Sequence, residues 1–398
     1  MKIGIYGGTF NPPHLGHLAA ARAAIHALGL EQLIWIPAHT PPHKELPEQS
    51  ATARQRLDMT RLAADQLHLP KVAQVWDVEL NRKGKSYTAD TLRQARARWP
   101  EAELWLLMGT DMFLTLQHWH QPEDVLSMAG ICAFGRTEKD SEEIFAAQRD
   151  FLSRTYPGCR LTTISIPNLV DISSTRLREL LARGEGQEYL PRAVYGFILR
   201  EHLYGTNVDL RRLSMEELRC VSYSMVQAKR LPHIRGTEEE AARLALRWGS
   251  DPQQMRRAAI LHDCTKYLTL EEHLAICRHY GVVLDELEQV TEKLLHAKTG
   301  AALARHMFGE DDKVVEAICY HTTGRKGMSL EEKILYMADY MEPCRRFPEV
   351  EEMRRLAYED LDRGVAMGAG MVIRDMVAAG RPIHPNTQSA WETYRAED

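Results

Sequence analysis

The chain has 398 residues, 44% hydrophobic and 26% charged, room for two ordinary domains with sizeable cores. A formal net charge of -5 excludes broad, sequence-blind binding of nucleic acid, though a local basic site stays open. The seven cysteines are scattered without a C-x-x-C pair, the start lacks a signal peptide's apolar run, and no apolar segment is long enough to span a bilayer; reduced thiols in a cytoplasmic protein are expected, with no membrane partner.

In the first half, strands are predicted at residues 2–6, 32–37, 72–78, 103–108, 130–134 and 161–166. Helices are predicted between them, at 17–28, 52–67, 89–99, 141–155 and 175–183, with a last one at 191–203. Strand and helix in regular alternation predict an α/β domain whose parallel sheet is covered on both faces. Beyond the short polar stretch 205–213 the texture is helical alone. Ser214-Met215-Glu216-Glu217 is a capping-box pattern, and Asp251-Pro252 opens a further helix. Residues 284–308 carry helical spacing up to Gly309, Gly324–Gly327 breaks the chain, and 329–341 is helical again. The expected organisation is an α/β domain over 1–205 and an all-α domain over 206–398.

The strongest local pattern is Gly7-Gly8-Thr9-Phe10-Asn11-Pro12-Pro13-His14-Leu15-Gly16-His17, set between an apolar strand and a helix. Its glycines let backbone approach a ligand, and the helix that follows offers N–H groups to an anion. His14 and His17 are placed to donate hydrogen bonds to phosphoryl oxygens as charge builds up. A lone H-x-x-H would be two surface histidines in a turn; the strand, loop and helix around it favour a phosphate site. Near the end of the same half, Asp171-Ile172-Ser173-Ser174-Thr175-Arg176-Leu177-Arg178 reads as a helix cap, with Arg176 beside amides suited to phosphate.

These motifs resemble those of bacterial nicotinate-nucleotide adenylyltransferases in the HxGH nucleotidyltransferase superfamily, over essentially all of residues 1–200. The resemblance implies a Rossmann-like domain that joins ATP to nicotinate mononucleotide with Mg2+. It implies an ATP loop of Gly7, Gly8, Thr9 and Phe10, with His14, His17 and Arg176 as catalytic residues and Ile172, Ser173, Ser174 and Thr175 as binding residues. Ser86-Tyr87-Thr88 resembles the segment that contacts the nicotinate base. Gly109-Thr110-Asp111 and His118-Trp119 resemble the segment with a ribose-binding Asp111 and a ring-stacking Trp119. Lys44, after Thr40-Pro41-Pro42-His43, matches a phosphate-contacting lysine; Arg136 matches a further one, although the expected Pro-Gly after it is absent.

In the second half His262-Asp263 follows the apolar Ala258-Ala259-Ile260. Burying an aspartate is costly without a partner, and a metal supplies one. A lone His-Asp pair would be a satisfied core pair, but His233, His296, His321 and Asp339 also lie on apolar helical faces. The order H…HD…H…H…D resembles the HD phosphohydrolase superfamily, and more narrowly the bacterial symmetrical diadenosine-tetraphosphate hydrolases, over about residues 214–370. That resemblance implies two divalent metals. His233, His262, Asp263 and Asp339 would hold one, and Asp263 would bridge to a second held by His296 and His321. Iron fits these N/O ligands, with Mn2+ as the alternative. Lys266 and Arg345 are candidate phosphate binders. Pro232, just before His233, departs from the usual helical approach to this ligand, and His273, His279, His306 and His384 fit no motif.

Three other readings stand beside this one. The first domain could use nicotinamide mononucleotide or phosphopantetheine as acceptor. The second could be a nucleotidase or a guanosine-tetraphosphate hydrolase, or a nucleotide-binding regulator without turnover. A homo-oligomer is compatible with all of them.

Overall fold

The computed structural model describes residues 1–39, 47, 50–82, 84–135, 142–166, 170 and 172–395. The chain forms two compact units, Met1–Asn207 and Val208–Asp398.

The first unit is built on six parallel strands: β1 (Lys2–Gly8), β2 (Gln32–Pro37), β3 (Ala73–Val75), β4 (Glu103–Gly109), β5 (Gly130–Phe134) and β6 (Leu161–Ile164). Their order is β3-β2-β1-β4-β5-β6. Its helices are α1 (Leu15–Leu28), α2 (Ala53–Asp65), α3 (Thr88–Arg98), α4 (Thr110–Leu114), α5 (Pro122–Met128), α6 (Glu142–Thr155), α7 (Ser174–Leu181) and α8 (Arg192–Arg200). Alternate strand residues feed two cores. Tyr6, Trp35, Leu107 and Phe134 pack with residues of α1, α2, α7 and α8. Ile5, Ile34, Ile36, Leu106 and Ile131 pack with residues of α3, α4, α5 and α6. Both faces are therefore covered, which is why these strands read as apolar runs rather than as alternating ones.

The second unit is helical throughout its described residues: α9 (Met215–Tyr223), α10 (Leu231–Trp248), α11 (Pro252–Leu261), α12 (Leu270–Tyr280), α13 (Glu292–His306), α14 (Asp312–Tyr320), α15 (Leu330–Met341), α16 (Val350–Glu359), α17 (Leu361–Ala378) and α18 (Pro385–Tyr394), with short 3-10 turns between. Helix α10 packs on α11 and α15, and α14 packs on α13 and α15. Among the described residues no helix is long and apolar enough to cross a membrane.

Several expected elements are shorter than their sequence patterns, and two of them show a local cause. The helix expected over 284–308 begins only at Glu292. Gly281 ends α12 in the left-handed region (φ +67°), and Asp285 and Glu288 then cap each other. The Glu288 N–H donates to Asp285 Oδ1 at 2.8 Å, and the Asp285 N–H to Glu288 Oε2 at 3.0 Å. These local bonds offer the backbone an alternative to the helix. Strand β3 keeps three of the seven expected residues. Among the described residues it pairs only with β2, and the chain turns from Val78 onward, with Trp76 and Val78 packed on the second core.

Two candidate active sites

The first site lies at the carboxyl ends of β1 and β4. In the order β3-β2-β1-β4-β5-β6 the chain reverses its winding between these strands, and open α/β sheets bind ligands at that crevice. The Gly7–His17 loop leaves β1, while Gly109 ends β4 and caps α4, which carries Asp111 in its first turn. His14 is the N-cap of α1 and forms a reciprocal capping box with His17. The His14 N–H donates to His17 Nδ1 at 3.1 Å, which leaves the proton of a neutral His17 on Nε2, a donor suited to a phosphoryl oxygen. The two rings lie 3.8 Å apart, centroid to centroid. A Cβ at residue 16 would meet His14 Nδ1 at 3.0 Å and the Val170 carbonyl at 3.3 Å, so Gly16 is what lets the histidine pair close. Phe10 holds a left-handed backbone (φ +48°) and buries its ring against Tyr6, Trp35 and His17.

Ser173 caps α7 by accepting the Arg176 N–H at 3.1 Å, and Ser174 Oγ donates to the Pro12 carbonyl at 3.2 Å. This joins the segment Ile172–Thr175 to the glycine loop. Arg176 is half-exposed and pairs with Glu179 at 3.0 Å. The arginine that reaches the loop is Arg178, whose Nη1 donates to the Asn11 carbonyl at 2.8 Å. Ser86 is buried, Tyr87 caps α3, and Thr88 begins it. Buried Glu79 accepts the Thr91 hydroxyl at 2.6 Å in the first turns of α3, and burial pushes its carboxyl above the usual range. Trp119 packs beside the second core, and the Tyr87 ring lies against His120, tilted by 35° with centroids 4.3 Å apart. Lys44 and Arg136 lie outside the described residues.

The second site gathers all six expected ligands. His233 lies in the first turn of α10, His262 and Asp263 at the end of α11, His296 on α13, His321 at the end of α14 and Asp339 on α15. His233 Nε2 stands 3.2 Å from His262 Nε2 and 3.0 Å from Asp339 Oδ1. His296 Nε2 stands 3.1 Å from His321 Nε2 and 3.2 Å from Asp263 Oδ1. Asp263 turns Oδ2 to His262 at 3.4 Å and Oδ1 to the other pair, so it spans both groups.

The tautomers identify what fits here. His262, His296 and His321 direct Nδ1 at the carbonyls of Ala259, Lys293 and Ile318, at 2.6 to 2.7 Å, and His233 directs Nδ1 at Glu342 at 3.1 Å. With Nδ1 as the donor, each Nε2 presents a lone pair. Four lone pairs and two carboxylates then face one small buried volume, and Asp263 Oδ1 has no hydrogen-bond donor among the described residues. Such a set repels itself unless cations lie within it. Divalent metal ions fit it, and two overlapping groups have their ligand atoms within 4.8 Å of one another: His233, His262, Asp339 and His262, Asp263, His321.

Cationic side chains surround this centre. Arg230 Nε donates to Asp263 Oδ2 at 2.5 Å, Lys266 Nζ lies 3.5 Å from Asp263 Oδ1, and Arg345 Nη2 donates to Asp339 Oδ1 at 2.9 Å. Burial opposes ionisation of Asp263 and Asp339, but both carboxyls are held well below the usual range, with the Lys266 charge favouring ionisation of the first and the Arg345 charge that of the second. Pro232 is accommodated because it falls in the first turn of α10, where no intrahelical N–H bond is required.

Comparison with known proteins now bears on both sites. A cytidylyltransferase-like family profile matches residues 5–180, and an HD domain profile matches residues 230–344. A protein of Lachnoclostridium phytofermentans described as a probable nicotinate-nucleotide adenylyltransferase is 35% identical over 51% of this chain and 98% of its own length. A protein of Trichlorobacter lovleyi with the same description is 37% identical over 51% of this chain and 99% of its own. The chain belongs to the nicotinate-nucleotide adenylyltransferase family. A crystal structure of a predicted HD superfamily hydrolase involved in NAD metabolism, from Clostridium acetobutylicum, is 36% identical over 46% of this chain and 97% of its own, with a TM-score of 0.45.

Within this adenylyltransferase-family chain, several supporting residues escaped the sequence reading. Arg178 lies one helical turn after Ser174 and reaches the Asn11 carbonyl of the glycine loop, a contact that the sequence reading did not single out. Glu342 follows Asp339 by three residues and fixes the His233 ring. Arg230 precedes His233 by three and reaches Asp263. Both spacings recur on a helical face, a signal that was available.

Proposed function

We propose that the first unit transfers AMP from ATP to nicotinate mononucleotide, giving nicotinate adenine dinucleotide and pyrophosphate. The observation that carries this is the histidine pair at the switch point of the sheet, joined to family membership across the whole first unit. The attacking phosphate is already ionised at neutral pH, so no general base is required. The chemistry asked of the protein is alignment and stabilisation of an anionic transition state. His14 and His17 would donate to the transferred phosphoryl group. The Ser173-capped end of α7 would hold the departing pyrophosphate, with Arg176 at its first turn. Gly7 would let the loop's backbone approach the ligand. Gly8, Thr9 and Phe10 would complete the ATP loop. Ser86, Tyr87, Thr88 and Trp119 would receive the pyridine ring, and Asp111 a ribose. Mg2+ bound with ATP would neutralise phosphate charge. The test offers nicotinate and nicotinamide mononucleotides at equal concentration with ATP and Mg2+. The reading expects the nicotinate dinucleotide to dominate; preferred use of the nicotinamide form would overturn it.

For the second unit we propose symmetrical hydrolysis of diadenosine tetraphosphate to two ADP. What supports it is a six-ligand centre ringed by Arg230, Lys266 and Arg345, cations suited to a polyphosphate chain. Two divalent ions, iron first and Mn2+ second, would supply Lewis-acid activation of water and charge neutralisation. The chain's own contribution is to fix the ring orientations and to hold the polyphosphate. The full chain, given diadenosine tetraphosphate with Fe2+, Mn2+ or Mg2+, is expected to release ADP alone, and the His262→Ala variant none. ATP with AMP, or no turnover with any metal, would count against symmetrical cleavage.

A further inference from the structure

Arg56 lies on α2 and is only 1% exposed, yet it has no carboxylate partner among the described residues. A buried charge left without a counter-ion is costly, and a Leu or Met of similar bulk would fill the same space without that cost. Packing therefore does not account for it. Its hydrogen bonds do. Nη1 donates to the Thr9 carbonyl at 3.0 Å and the Ala38 carbonyl at 2.5 Å, and Nη2 donates to the His39 carbonyl at 2.9 Å. One planar fork thus ties the glycine loop to the chain that leaves β2, a span that a lysine's point charge does not reproduce.

A second clasp acts on the same loop. The Tyr204 hydroxyl donates to Asn11 Oδ1 at 2.7 Å, and Asn11 Nδ2 donates to Ser50 Oγ at 3.0 Å. Tyr204 is 5% exposed and sits in a left-handed backbone (φ +57°), close behind His202 in the same region (φ +50°). Non-glycine residues adopt this conformation rarely, and it persists where the surroundings over-determine it. Burial pushes the phenol well above its ordinary range, and the nearby Arg178 and Arg56 charges draw it back. The carbonyls of Thr9, Asn11 and Pro12 are thus all engaged by donors from Arg56, Arg178 and Ser174. With these three carbonyls occupied, the loop has fewer free acceptors to oppose an anion.

We propose that Arg56 and Tyr204 are positioning residues of the first site: they lock the loop between β1 and α1 in the form that receives the polyphosphate of ATP, and Arg56 adds a fixed positive charge beside it. This rests on the adenylyltransferase reading given above.

The test uses the full chain and its Tyr204→Phe, Arg56→Lys and Arg56→Met variants. ATP binding is measured alone by calorimetry at two salt concentrations, and both Michaelis constants are measured in turnover. Tyr204→Phe removes one oxygen and is expected to fold. It should weaken ATP binding about fivefold, the equivalent of one buried hydrogen bond, while KM for nicotinate mononucleotide stays unchanged. Arg56→Met should weaken ATP binding about tenfold or more and flatten its salt dependence. Arg56→Lys should weaken binding but keep the salt dependence, because charge remains and the fork is lost. Variants that melt earlier yet bind ATP like wild type would overturn the proposal, as would an equal rise in both Michaelis constants. A wild-type chain that binds ATP without transferring its AMP would sink the adenylyltransferase reading, while the binding comparison would still judge the loop.

Discussion

His17 carries its role through a backbone bond: by accepting the His14 N–H at Nδ1 it keeps its proton on Nε2. His17→Ala is expected to lower kcat by about 10^2 to 10^3, with a smaller change in KM for ATP, since the lost donor acts mainly on developing charge. Steady-state kinetics with ATP varied checks this. Glu342 stands behind His233 in a comparable way. Glu342→Gln should weaken metal binding about 10- to 100-fold, read as metal retained after dialysis against a graded chelator. His273 gives a pH test at the same scale. Burial lowers its pKa to about 4, below the ordinary 6.5, so the folded state holds it neutral where the unfolded chain would be protonated. Its contribution is full above pH 6.5 and is lost as pH falls toward 4, on the order of 2 kcal/mol across that window. Metal-free His273→Gln should therefore show a shallower loss of stability than wild type between pH 6.5 and 4; equal slopes by denaturant titration would contradict this. Motif residues such as His14, His17, His262 and Asp263 were legible in the sequence because their chemistry and spacing coincide. Arg56 and Tyr204 were not read there, because they act through loop groups that only the folded chain brings near; Glu342 was passed over although its spacing from Asp339 was visible.

Elements were legible where one signal dominated. Strands β1, β2, β4 and β5 are apolar runs buried on both faces, and the helix starts Ser214 and Asp251 stand where their side chains accept a first-turn N–H. The run over 284–308 misled because apolar spacing continues through a segment where Asp285 and Glu288 capture the backbone, a competition that periodicity does not register. Helix α10 shows how an element sets the chemistry. Pro232 lies in its first turn, His233 follows, and Gly236 one turn on leaves room for Glu342. A Cβ at Gly236 would meet Glu342 Oε2 at 2.6 Å and Pro343 at 3.2 Å. Gly236→Ala is therefore expected to displace Glu342, reducing bound metal and lowering the melting temperature of the second unit, although alanine favours helix by about 1 kcal/mol. Metal analysis and calorimetry on the same sample would decide it; a variant that is stabilised and fully metallated would refute the coupling.

At the scale of the whole molecule, the parallel order β3-β2-β1-β4-β5-β6 puts a switch point between β1 and β4, and a separate helical unit gathers six ligands from five helices. Strand and helix texture foretold both architectures, but not which loops would meet, because parallel strands join by crossovers whose order no local pattern encodes. Two self-contained sites imply separable chemistry. The measurement that tests this most directly is product analysis of the full chain beside its His17→Ala and His262→Ala variants. Each is supplied in parallel with ATP plus nicotinate mononucleotide and with diadenosine tetraphosphate plus Fe2+ or Mn2+. The account predicts that wild type makes the nicotinate dinucleotide in the first reaction and ADP alone in the second. His17→Ala should lose only the first, and His262→Ala only the second. Loss of both products in either variant, or ATP and AMP in place of ADP, would contradict it.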